Sequence, residues 1–122
     1  IDLAGWKLSD GDADDTIVAL GKRKTVLKPG KFALVVDPDH SAKGDFKLPK
    51  GVVVVTVGNA SIGNGLSKGD LLTLASPQGA TVDTCPLTKK TPKGESVRRK
   101  DLAQDGAPAN WETGASTPGK VN

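Results

Sequence analysis

Residues 61–84 read SIGNGLSKGDLLTLASPQGATVDT. Asn64-Gly65 and Lys68-Gly69-Asp70 are residue types that accept the positive φ of tight turns. Leu71-Leu72-Thr73-Leu74-Ala75 follows with strand character. Ser76-Pro77-Gln78-Gly79 suits a type I turn, because Pro pre-sets φ at the first central position and Gly takes the last. Thr81-Val82-Asp83-Thr84 then returns as polar–apolar–polar. The spacing predicts a β-hairpin with one apolar face, and such a face needs a second layer to cover it.

Working outward, residues 52–57 (VVVVTV) are apolar on both faces and read as a central strand. Residues 32–36 (FALVV) form another, entered from the turn Lys28-Pro29-Gly30-Lys31. Residues 3–8 alternate as a strand with Trp6 and Leu8 on one face. Residues 15–20 (DTIVAL) and 25–27 are two further strands, separated by Gly21-Lys22-Arg23-Lys24. Residues 37–49 are a polar connection in which Pro38, Gly44 and Pro49 allow one helical turn at most. Beyond Cys85-Pro86 the chain is polar until a last short strand at 95–98, and 103–122 looks irregular with Trp111 as its bulky anchor. Short strands at this spacing, with no long amphipathic helix, argue for an all-β sandwich or barrel.

A chain of 122 residues makes one domain, with no linker to divide it. Its four aromatic residues are Trp6, Trp111, Phe32 and Phe46, so the core must be aliphatic. Net charge is +3, which favours solubility and loose attraction to anions without pointing to nucleic acid. Cys85 is the only cysteine, which excludes an internal disulfide and an all-thiolate metal site. No apolar run is long enough for a membrane-spanning helix. The chain opens on Ile1-Asp2-Leu3 without an initiator Met, so we expect a piece cut from a longer protein.

Taken together these residues resemble the lamin tail domain, a family with an immunoglobulin-like β-sandwich. Leu3-Ala4-Gly5-Trp6-Lys7-Leu8-Ser9-Asp10 is similar to its L-x-G-W-x-L-x-D strand, and Leu27-Lys28-Pro29-Gly30-Lys31-Phe32-Ala33-Leu34-Val35 to its Pro-Gly turn and strand. Leu66-Ser67 with Gly69-Asp70 and the hairpin to Asp83 resembles the central signature. Ser96-Val97-Arg98-Arg99, Trp111 and the ending TPGKVN resemble a bacterial C-terminal pattern. The likeness runs through nearly the whole chain in order, but two strands that usually precede the Gly-Trp strand in the family are absent. The resemblance therefore implies a truncated domain with an open sheet edge, to be covered by self-association or by rearranged pairing. It also implies a non-catalytic interaction or tethering module, an accessory domain of a larger bacterial protein, extracellular or at the cell surface. The partner expected is a protein or the rest of its own polypeptide.

Chemistry is sparse beside that frame. Gly65-Leu66-Ser67-Lys68-Gly69 matches the G-x-S-x-G nucleophile elbow, yet an elbow needs a strand before the Ser and a helix after it, and here a turn precedes and a strand follows. His40, the one histidine, sits in a polar loop, and Cys85 reads as a small buried hydrophobe. The sequon Asn59-Ala60-Ser61 is given no role. No enzyme activity is expected. Asp10, Asp12, Asp14 and Asp15 form a carboxylate cluster of the kind that holds calcium, with Asp37, Asp39 and Asp45 as a second. The EF-hand pattern fails, because Asp15 and Gly21 stand where Gly and Glu are required. Calcium is thus the single cofactor suggested, against the plainer reading of a solvated hairpin tip. Lys89, Lys90, Lys93, Arg98, Arg99 and Lys100 form a basic segment suited to phosphates of DNA or anionic lipid heads. With almost no aromatic residues between them, DNA binding through it would be weak, salt-sensitive and indifferent to sequence.

Overall fold

The computed structural model describes residues 1–39, 47–59, 61–67, 69–87 and 91–121. The fold is all-β, and among the described residues eight strands carry it: β1 (Lys7–Ser9), β2 (Asp14–Ala19), β3 (Ala33–Val36), β4 (Val53–Val57), β5 (Leu71–Ala75), β6 (Thr81–Pro86), β7 (Glu95–Arg99) and β8 (Trp111–Ala115). The first six form one curled sheet in the order β3-β4-β2-β1-β5-β6, and β7 and β8 pair as a separate hairpin. Neighbours in the large sheet are antiparallel except β3 and β4, which run parallel.

The expected hairpin is present as β5 and β6. The Gly79 N–H donates to Ser76 O at 2.9 Å, as a type I turn requires, and Gly79 sits at φ +91°. β4 is central, between β3 and β2, and four of its five residues are buried. Val55 joins Leu3, Leu8 and Ile17 in the buried core, with Trp6, Val35, Leu72 and Leu74 packed against it. The opposite face of β4 is also covered: Val54 is 4% exposed, and the Thr56 hydroxyl donates to Val36 O at 2.7 Å. Alternating apolar residues from five strands thus meet in one aliphatic core.

Three expectations need correction. The strand read at 3–8 is broken, because the Trp6 N–H donates to Leu3 O and Gly5 turns the chain at φ +85°; only Lys7–Ser9 remains extended. Residues 25–27 contribute a single bridge, Asp2 to Val26, rather than a strand. Residues 103–122 are not irregular throughout: Trp111–Ala115 pairs along its length with β7. Gly114 explains part of that pairing. A methyl there would meet the Arg98 guanidinium at 2.5–2.9 Å, so the glycine lets Arg98 lie across β8 to Glu112, 3.1 Å away.

The β7–β8 hairpin is held against the sheet by polar contacts from β6. Arg99 Nη2 donates to both carboxylate oxygens of Asp83, and its guanidinium lies 4.8 Å from the Trp111 ring centroid. The Gly106 carbonyl accepts from Thr84 Oγ1 and Trp111 Nε1. On the other side Phe32 and Leu34 share a cleft of about 630 Å³ with Val97 and Trp111. Residues of the hairpin thus line one cleft with Ala33 and Leu34 of β3 and Asp83 of β6, the two edge strands of the large sheet. Among the described residues no helix is long and apolar enough to cross a membrane.

Candidate functional site

Three tight turns, each built on a glycine with positive φ, close on one end of the sheet. In the first, Arg23 N–H donates to Leu20 O across Gly21 (φ +60°), which exposes Lys22, Arg23 and Lys24 just past the end of β2. In the second, Lys31 N–H donates to Lys28 O, with Pro29 and Gly30 (φ +71°) in the central positions of a type II turn. In the third, Val52 N–H donates to Pro49 O across Lys50 and Gly51 (φ +90°), leading into β4. A side chain at any of these glycines would be strained, so the turns are specified locally.

The turns bring six cations around one cleft of about 780 Å³: Lys22, Arg23, Lys24, Lys28, Lys31 and Lys50. Its floor is aliphatic, from Val26 and the start of β4. The Lys31 stem packs along Gly51, where a methyl would lie 3.7 Å from its Cδ and Cε; the chain thereby holds that ammonium at the wall. No acidic side chain lines the cleft, and none of the six cations is in an ion pair among the described residues. Asp2, bridged to Val26, accepts with Oδ1 from the Thr25 hydroxyl at 2.6 Å and the Ala4 N–H at 3.0 Å. The Thr25 bond first, then the Ala4 bond, holds its carboxyl below the usual value.

The sequence-predicted basic segment is used differently. Arg98 is paired with Glu112 of β8 and Arg99 with Asp83 of β6, so two of its cations already face carboxylates. Lys93 and Lys100 are exposed, and Lys89 and Lys90 lie outside the described residues. The acidic cluster is likewise drawn into local structure. Asp10 Oδ1 accepts the Asp12 and Ala13 N–H groups at 3.0 Å each, which hold its carboxyl below the usual value, the Ala13 bond most. Asp15, 2% exposed, accepts from Asn59 Nδ2 and the Gly63 N–H. Asp12 and Asp14 are exposed. Asp37 Oδ1 accepts the Ile62 N–H at 2.9 Å; Asp45 and His40 lie outside the described residues. Among the described residues no three carboxylate, imidazole or thiol groups stand close enough to hold a metal ion. The Ser67 N–H is bonded to Asp70 Oδ2 in a turn that leads into strand β5. The Cys85 thiol is half-buried, and burial first, then Asp83, pushes its pKa up.

Sequence reasoning missed the basic cleft. A signal was there: residues 22–31 carry five cations and no carboxylate. Set against family models, curated proteins and solved structures, the chain matches none of them.

Proposed function

We propose that this chain is a lamin-tail-type, immunoglobulin-like β-sandwich serving as a non-catalytic tethering module, held to an anionic partner through the basic cleft. The observation that carries the reading is the convergence of six cations from three turns on a cleft with no carboxylate among its described lining residues. Like charges gathered without compensation repel one another, so a protein gains nothing in stability from such a face. A partner bearing several negative charges relieves the repulsion and releases counterions. The family likeness supports the same reading, since its Pro-Gly turn builds one wall of the cleft. Of the carboxylates that invited a calcium reading, Asp10, Asp15 and Asp37 accept N–H groups of nearby turns and loops.

The test is binding of a short DNA duplex, used as a generic polyanion, across a salt series. With about five contacts the slope of log K against log salt should be about −4.5. Lys22→Glu with Lys24→Glu and Lys50→Glu should abolish binding at about 50 mM salt, while Lys93→Glu with Lys100→Glu should leave it within about 2-fold. Absence of binding by the wild type at that salt refutes the proposal. Equal loss in both variants moves the site to the segment at 89–100.

A further inference from the structure

The cleft is charged at its rim and apolar at its floor, and that combination selects among anions. Val26 is 52% exposed in the midst of the cations, with Lys24 and Lys28 two residues to either side. Val52 and Val53 are partly exposed behind it. A sugar–phosphate backbone has no use for exposed valine, and no aromatic side chain lines the cleft for a base to stack on. A bilayer with anionic headgroups meets both halves of the site. Its phosphates face the lysines, and its glycerol and upper acyl region takes the aliphatic side chains.

We infer that the cleft docks on the surface of an anionic lipid bilayer, with Val26 entering the headgroup layer and the six cations lying against the phosphates. This rests on the proposal above that the cleft is the anion-binding face. Each cation near such a surface contributes about a 5-fold gain in partition, and these gains fall with salt. Burying the exposed half of one valine adds a further factor on the order of 5-fold, which salt does not screen.

The experiment is co-sedimentation of the full chain with vesicles of phosphatidylcholine alone and with about 30 mol% phosphatidylglycerol, beside the same DNA duplex. The wild type should sediment with the anionic vesicles and not with the neutral ones. Val26→Ser should lower vesicle partition about 5-fold while the protein stays folded, and added salt should not change that ratio. Val26→Trp should raise partition, because the indole favours the interface. Vesicle partition indifferent to both Val26 substitutions overturns the inference, as does DNA binding without vesicle binding; in that case the tethering proposal stands and its partner is nucleic acid. Binding of neither probe sinks both readings together.

Discussion

Arg99 is a structural keystone rather than an anion contact, and truncating it separates the two roles. Its side chain is 16% exposed, Nη2 donates to both oxygens of Asp83, and the guanidinium covers Trp111 at 4.8 Å. Asp83 is 38% exposed, so the ion pair is partly screened and is worth about 1–1.5 kcal/mol rather than the 3–5 of a buried pair. The cation–π contact adds about 1 kcal/mol. Arg99→Ala should therefore destabilise the domain by about 2–3 kcal/mol. For this length the unfolding entropy is about 0.26 kcal/mol/K, which converts the loss to a fall of about 8–12 °C in melting temperature. Arg99→Lys should recover less than half, since an ammonium cannot lie flat on the indole while reaching the carboxylate. A double-mutant cycle with Asp83→Ala should return a coupling of about 1 kcal/mol. The assays are thermal denaturation by circular dichroism and the salt slope of DNA binding. The reasoning fails if the melting temperature drops by less than about 3 °C, or if the salt slope falls by the ~0.9 expected of a phosphate contact.

Two further outcomes concern Gly63, whose N–H is bonded to Asp15 beside the Ile62 N–H bonded to Asp37, and the Asp10 carboxylate. Gly63 and Gly21 share nearly the same φ, +58° and +60°, but a methyl on Gly63 would run into the Asp10 carboxylate whereas one on Gly21 meets nothing within 4 Å. Gly21→Ala should lower stability by about 1 kcal/mol from backbone strain alone, and Gly63→Ala by about 2–3; equal melting temperatures would contradict the packing argument. The carboxyls of Asp10 and Asp2 titrate below the usual aspartate value in the folded chain, because N–H and O–H donors favour the ionised form. Their contribution is therefore complete above that value and lost as pH falls through it. Melting temperature should decline below about pH 4, less steeply in Asp10→Asn, and parallel curves for variant and wild type would remove Asp10 from the account.

The parts of the fold legible in the sequence are those that depend on local chemistry. Pro77 and Gly79 announce their turn, the valines of β4 announce a strand covered on both sides, and Leu8 and Ile17 reach the core as alternation implies. What could not be read depends on partners distant in the chain. β3 returns parallel to β4 because the polar connection between them is long enough to cross over, and composition does not say which neighbour it meets. β8 is hidden because Glu112 and Gly114 are poor strand formers, and only the facing Arg98 gives them a purpose. The same limit misdirected the site. Lys89 to Lys100 looks like a patch because its cations are consecutive, yet Glu112 and Asp83 meet two of them in space. Lys22 and Lys50 look unrelated, and the sheet brings them together.

β2 begins at the tip that bears Asp10, Asp12 and Asp14 and ends at the turn that bears Lys22 and Arg23, roughly 17 Å further along the strand. Opposite charges fixed at the two ends of a rigid rod form a permanent electric dipole. Near any surface of uniform negative sign that dipole experiences a torque before contact, turning the lysine end inward and the aspartate tip outward. Arrival would thus be pre-aligned, with the aspartate tip facing away from the surface.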